Sequence, residues 1–283
     1  MKEYFKLIRV KHYLKNLLIF FPLFFSHNLF NFNLLLKLIL SFLSFCFACS
    51  IVYIVNDIRD RDKDKLHEKK KNRPIASGKI SVKNALFVIF ILVILSGLCF
   101  FFSGANTFAG IYIIIYIFIN LLYSFGLKDV PLLDIMILSS GFLIRVLFGG
   151  AVVDIDISNW LYLTVISMAF YLVIGKRRNE INNSKGETRK VLKYYTKDFL
   201  DKNMYMCLSL AIVFYSLWTM DYSATNSLLV WTVPLVIIIC MKYSMNVENG
   251  GDADPIEVVY GDKMLLFLIV IYGLSLVSVI YLF

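Results

Sequence analysis

Residues 51–64 read Ile51-Val52-Tyr53-Ile54-Val55-Asn56-Asp57-Ile58-Arg59-Asp60-Arg61-Asp62-Lys63-Asp64, an apolar run that ends abruptly in four aspartates within eight residues. A helix continuing out of the apolar run sets Asn56, Asp57, Asp60 and Asp64 near one face, at i, i+1, i+4 and i+8. Like charges at such spacings repel, so the pattern costs stability unless a cation offsets it. Hard oxygen donors at the mouth of a membrane span suit Mg²⁺, which takes one or two carboxylates together with a substrate's phosphates. The plainer alternative is a solvated helix end in which Arg59, Arg61, Lys63 and Lys65 balance the acids.

The rest of the chain supports the membrane reading. It is 59% hydrophobic, with a mean hydropathy of +0.73, which excludes an ordinary soluble domain. Apolar stretches long enough for the hydrocarbon core recur. They predict an all-α integral membrane protein of about nine transmembrane helices, near 16–33, 34–55, 83–103, 107–125, 131–152, 158–175, 203–220, 226–243 and 263–283. The first is interrupted by Pro22 and His27. Residues 1–15 read as a basic, amphipathic lead-in and not as a cleavable signal peptide. The polar segments are too short to fold alone, so the expectation is one polytopic domain over 1–283.

Charge sets the expected orientation. With the N-terminus in the cytoplasm, the inner segments are 1–15, 56–82, 126–130, 176–202 and 242–263, and they hold all but a few of the 29 Lys and Arg; Lys37 and Arg145 are the deep exceptions. The outer connections 104–106, 153–157 and 221–225 have none. This is the positive-inside pattern. It places a multi-pass protein in the cell membrane with its functional loops (about 56–82, 126–130 and 176–202) facing the cytoplasm. The net charge of +9 thus belongs to one face, suited to anionic headgroups or phosphorylated substrates, and needs no nucleic acid to explain it. Cys46, Cys49, Cys99, Cys207 and Cys240 all fall within predicted spans, where Cys46 and Cys49 read as packing residues before a zinc or redox pair.

Several polar residues stand beside the acidic run. Lys65, His67, Lys69, Lys70, Lys71 and Arg73 follow it and lead into Pro74-Ile75-Ala76-Ser77-Gly78-Lys79. Carboxylates for a metal next to cations for the remaining phosphate oxygens would serve a metal–diphosphate complex, although the same cations also hold the loop inside. Lys176-Arg177-Arg178-Asn179-Glu180 closes the sixth predicted span, where Glu180 can pair with Lys176 or reach a second metal ion. Tyr123 and Lys128 flank the inner turn between spans four and five, and Asp134 lies a turn inside span five. A carboxylate there is expensive unless it meets a polar cavity. Arg145 lies deeper in the same span, a structural partner or a functional group. Arg9, Lys11, His12, Lys15 and Asn16 gather at the mouth of span one, as a lipid anchor or as part of a phosphate site.

These residues resemble the UbiA superfamily of intramembrane prenyltransferases. Asn56-Asp57-x-x-Asp60-x-x-x-Asp64 is similar to its first acidic motif, and Asn72-Arg73-Pro74-Ile75-Ala76-Ser77-Gly78-Lys79-Ile80-Ser81 to the segment after it. Arg9 through Phe20, Tyr123-Ser124 through Asp134, Gly141-Phe142-Leu143-Ile144-Arg145 and Gly175 through Glu180 look most like the decaprenyl-phosphate phosphoribosyltransferase branch. Two departures stand out. Where prenyltransferases acting on aromatic acceptors carry a second aspartate motif, this chain has Gly-Lys-Arg-Arg-Asn-Glu; and an expected N-terminal Arg-Pro is Arg9-Val10.

The resemblance implies a UbiA-like bundle and Mg²⁺-dependent transfer of 5-phosphoribosyl from phosphoribosyl pyrophosphate to a polyprenyl phosphate, for a cell-envelope precursor. Asn56, Asp57, Asp60 and Asp64 would hold Mg²⁺. Lys128 and Tyr123 would act at the reacting ribose, and Lys15, Asn16, Asn56, Arg73, Asp134, Lys176, Arg177 and Glu180 would bind substrate. The alternatives are ordinary prenyl transfer from a prenyl diphosphate to an aromatic or other acceptor and, more remotely, a lipid-phosphate flippase.

Overall fold

The computed structural model describes residues 2–66, 70–183, 190–222, 227–249 and 254–282. Eight helices among these are long and apolar enough to cross a membrane. They are α1 (Phe32–Arg59), α2 (Val82–Ser103), α3 (Thr107–Ser124), α4 (Leu133–Val153), α5 (Asn159–Asn183), α6 (Lys197–Tyr222), α7 (Val233–Glu248, entered through a 3₁₀ turn at Ser227–Thr232) and α8 (Lys263–Tyr281). Helices satisfy every backbone group within the segment, which lipid demands. Short polar residues start several of them: Asn31, Ser81, Asn106 and Asp262 accept hydrogen bonds from the backbone N–H groups of Leu34, Asn84, Ala109 and Leu265. Gly104, at φ 64°, ends α2 in the left-handed region and allows α3 to begin three residues later.

The expected span at 16–33 is the exception. Val10–Phe20 is a 3₁₀-helix and Phe21–Phe25 a short α-helix with Pro22 in its first turn. Proline there removes an N–H and crowds the preceding turn, so an α-helix cannot run through it, and His27 at φ 60° closes the segment.

The chain divides into two compact units, Met1–Leu127 with Ile144–Asp156, and Lys128–Leu143 with Ile157–Phe283. In the first, Phe45 packs between Tyr116 and Phe148, with ring centroids 4.8 and 5.1 Å away. Ser44 and Ser96 clasp α1 to α2 reciprocally, each hydroxyl donating to the other's carbonyl at 2.8 and 2.9 Å. The 3₁₀ segment lies along α1 like a strap. Ser50 Oγ donates to the Ile8 carbonyl and pairs with the Tyr13 hydroxyl, both at 2.8 Å, while Asn16 Nδ2 donates to Cys46 Sγ at 3.0 Å. The contacts run down the strap as they run back up α1, so the two are antiparallel. The second half of α4 secures the strap's far end, where Arg145 Nε donates to Asn16 Oδ1 at 2.7 Å.

The second unit packs Tyr171, Val191, Leu200, Met204, Val247 and Leu265 into one apolar core. The Tyr171 hydroxyl reaches Ser244 Oγ at 2.6 Å.

Gly149 is the tightest point in the first unit: a Cβ there would lie 2.0 Å from the Ile19 carbonyl oxygen. Gly149→Ala therefore must push the strap off α4. Overpacking of this kind costs roughly 1–3 kcal/mol or more. Thermal unfolding of the detergent-solubilised protein should show a melting temperature lower by several degrees; an unchanged melt would refute this packing.

Candidate active site

The helix α1 stops at Arg59. Asp60 caps it, its N–H bonded to the Asn56 carbonyl at 2.9 Å, and a separate helix Arg61–Leu66 follows. The expected continuous helix through Asp64 is thus broken at Asp60. Among the described residues no three His, Cys, Asp or Glu side chains gather as a metal cluster.

What brings Asp57 and Asp64 together is Arg73. Its Nη1 donates to Asp57 Oδ1 at 3.0 Å and to Asp64 Oδ2 at 2.7 Å. Arg9 Nη2 donates to the same Asp57 oxygen at 2.5 Å, with its guanidinium 4.9 Å from the centre of the Tyr53 ring. Both acids are almost wholly buried, and the arginines lie outside them: side-chain exposure is 2% for Asp57 and 5% for Asp64, against 20% for Arg9 and 26% for Arg73.

The motif after the acids explains how Arg73 gets there. Ile75 and Ile80 are buried in a core with Leu7, Ile54, Ala85 and Leu92. The Ile80 N–H closes the loop onto the Pro74 carbonyl at 3.0 Å, and Gly78 turns it at φ 76°. Pinned at both ends, the loop aims Arg73 back at α1. Asn56 is engaged differently: its Oδ1 accepts from the Ser124 hydroxyl at 3.1 Å, tying α1 to the end of α3 beside Tyr123. His67 and Lys69 of the basic run lie outside the described residues.

Other expected site residues have structural partners. Asn16 is fully buried and held by Arg145 and Cys46. Arg145 in turn donates to the Tyr116 hydroxyl at 3.3 Å and lies 5.0 Å from the centre of that ring. Lys15, Tyr123 and Lys128 are partly exposed, Lys128 on the 3₁₀ turn Leu127–Asp129.

In the second unit, α5 extends beyond its apolar stretch, so Lys176 to Glu180 are helical. Arg177 has no exposed side chain. Its Nε donates to Asp134 Oδ2 at 2.6 Å and its Nη1 to Glu180 Oε2 at 2.7 Å. The Tyr195 hydroxyl donates to Asp134 Oδ1 at 2.5 Å and accepts from the Leu132 N–H at 2.7 Å. Burial, and then the hydrogen bond to Asp134, push the Tyr195 phenol above its usual range. Arg178 donates to Asp201 and, at 3.2 Å, to the Val247 carbonyl. Lys176 lies 3.8 Å from Asp254 and keeps some exposure.

Thus Asp134, Arg177 and Glu180 are brought together, as are Asp57, Asp64 and Arg73. Arg9 and Tyr195 complete these networks, and Asp201 pairs separately with Arg178. Arg9 was visible in the sequence only as one of several N-terminal cations, while Tyr195 and Asp201 carried no signal of their own.

The UbiA prenyltransferase family model matches residues 17–251. The chain belongs to the UbiA prenyltransferase family. Among relatives, the decaprenyl-phosphate phosphoribosyltransferase of Corynebacterium glutamicum is 32% identical over 98% of this chain and 86% of its own length. That of Mycolicibacterium smegmatis is 32% identical over 82% of this chain and 76% of its own. A UbiA homolog from Archaeoglobus fulgidus, bound to DMAPP and Mg²⁺, has a similar fold: TM-score 0.70 at 18% identity, covering 98% of this chain and 99% of that one. This UbiA-family transferase therefore shares the helical membrane fold expected from its sequence.

The donor set suits a divalent ion that takes most of its ligands from a diphosphate. Two buried carboxylates already share one cationic nitrogen, and Mg²⁺ is commonly held by one or two carboxylates plus substrate phosphates.

Removing Arg177 would leave Asp134 buried without its cation, at a cost of about 3–5 kcal/mol. Arg177→Ala should therefore lower the melting temperature far more than Lys176→Ala, which breaks a looser, partly exposed pair. Equal melts for the two variants would contradict the network.

Proposed function

We propose that this protein transfers 5-phosphoribosyl from phosphoribosyl pyrophosphate to a polyprenyl phosphate, with Mg²⁺, at the cytoplasmic side of the cell membrane. One observation carries the reading: a third of the residues are shared, over nearly the whole chain, with an enzyme named for that transfer. The single acidic motif and the partly exposed Lys176 on α5 support it, since a diphosphate donor and a phosphate acceptor call for cations where a second aspartate motif would add acids.

Asp57 and Asp64, with Asp60 and Asn56 near them in sequence, would hold Mg²⁺, which when bound stabilises the negative charge on the departing pyrophosphate. The bond between ribose C1 and the pyrophosphate oxygen breaks, its electron pair leaving on pyrophosphate. An oxygen of the lipid phosphate attacks C1 and forms the new bond. That oxygen is already ionised, so no general base is required. Arg73, Lys128 and Lys176 hold phosphates, Lys15 serves the lipid phosphate, and Tyr123 contacts the ribose. Arg177 with Asp134 and Glu180, and Asn16 with Arg145, support the elements that carry these groups. The positive-inside pattern supports the orientation. We take the whole chain to act as one polytopic domain.

Prenyl transfer from a prenyl diphosphate is the second reading, favoured by family membership alone. A paired assay separates the two. Purified protein with Mg²⁺, labelled phosphoribosyl pyrophosphate and polyprenyl phosphate should yield lipid-extractable label, whereas prenyl diphosphate with an aromatic acid should yield no product. Asp57→Ala should reduce turnover by about 100-fold or more, the scale of a lost transition-state charge interaction. Product only in the prenyl arm would overturn the proposal.

A further inference from the structure

We propose that Arg9 and Arg73 are exchangeable counter-ions that make divalent-ion binding and diphosphate binding at Asp57 and Asp64 depend on each other. The inference rests on the reading of those two acids as metal-holding residues, and goes beyond it in what the arginines do.

The first support is occupancy. Asp57 Oδ1 accepts from Arg9 and Arg73 at once, and the Arg73 nitrogen that bonds it also bonds Asp64. A divalent ion therefore competes with guanidinium groups for the same oxygens. The second is layering. The acids are sealed, with side-chain exposures of 2% and 5%, and the arginines form the partly exposed layer over them, so an ion arriving from solvent meets cations first. A lone divalent cation is repelled there, whereas a diphosphate is attracted. Guanidinium forks match phosphate oxygens as well as carboxylates, so a diphosphate can draw both arginines outward and uncover the acids for the metal.

The third is delivery. Arg9 sits at φ 55°, ψ 50°, a conformation unfavourable for a residue with a side chain. It occupies the break between the helix Lys2–Leu7 and the 3₁₀ strap. The strap's bonds at Ile8, Tyr13 and Asn16 fix where that break falls, and the ring of Tyr53 supports the guanidinium. A surface arginine paired by chance with an acid would need none of this.

Exchange of this kind gives substitutions effects of opposite sign. In protein reconstituted into lipid nanodiscs, Mn²⁺ binding would be followed by electron paramagnetic resonance, with Mn²⁺ alone and with the preformed Mn²⁺–pyrophosphate complex. Arg9→Gln and Arg73→Gln should bind Mn²⁺ alone at least about 5-fold more tightly than the parent, and the complex at least about 5-fold more weakly, the lower end of ordinary coupling between sites. Arg9→Lys, which keeps the charge and loses the fork, should leave Mn²⁺ affinity near the parent's while still weakening the complex.

A merely structural role for the arginines predicts weaker Mn²⁺ binding or none in the glutamine variants. That result, or unchanged affinity for both probes, overturns the proposal. If the signs are opposite but phosphoribosyl pyrophosphate is not turned over, the exchange stands and the donor assignment falls. If the parent protein binds no Mn²⁺ even with pyrophosphate, the exchange falls together with the metal reading of Asp57 and Asp64.

Discussion

Two buried carboxylates, one at the end of a membrane helix and one on the short helix after it, must be neutralised, and the first half of this protein is organised around meeting that demand. Asp57 and Asp64 are nearly inaccessible, so their repulsion acts in a medium of low polarity where it is much stronger than in water. Arg73 bridges them and Arg9 adds a second positive charge to Asp57. Features that look unrelated in the chain serve these two arginines. The Pro74–Ile80 loop is turned by Gly78 and pinned by buried isoleucines to orient Arg73. The strap is pressed against Gly149 and bonded to Arg145 so that its start, at Arg9, falls on α1 beside Asp57.

The second unit handles buried charge differently. Arg177 is wholly enclosed, with Asp134 and Glu180 as its acids, and Tyr195 covers the remaining Asp134 oxygen. Here the cation is the innermost group and an acid, Glu180, keeps the partial exposure; the network joins α4, α5 and Tyr195, which follows the Lys190–Tyr194 turn. Arg178, tied to Asp201 and a carbonyl of α7, does the same for α6 and α7. Of the three adjacent cations on α5, only Lys176 retains partial exposure and a long ion pair. Within the run, Arg177 and Arg178 are held in place by acids and a carbonyl, and Lys176 keeps the adaptable charge.

Hydropathy and charge made most of the architecture legible, because long apolar runs in lipid have few alternatives to helix. Where legibility failed, local backbone chemistry was the cause. Pro22 and His27 were visible as interruptions of 16–33, but the 3₁₀ form of the strap follows from close contact with α1 and α4, which periodicity does not encode. Asp60 was read as continuing a helical face, whereas the helix ends there and only a distant arginine reunites Asp57 with Asp64. Arg145 and Asn16 were recognisable as anomalous polar residues in apolar surroundings; that they satisfy each other could be learned only from a fold that brings together residues 129 positions apart. Tyr195 and Asp201 lie in an ordinary polar stretch, and only the buried charges they meet make them important.

Diffraction from crystals grown with Mn²⁺ and pyrophosphate, recorded at the manganese absorption edge, would locate the cation directly. If Asp57 and Asp64 form the metal site, the anomalous peak will lie in contact with their carboxylates, with the guanidinium groups of Arg9 and Arg73 turned from those oxygens onto the pyrophosphate. A peak elsewhere, with both arginines still bonded to Asp57, would show that the acids are a permanent structural salt bridge and not the centre of a transfer reaction.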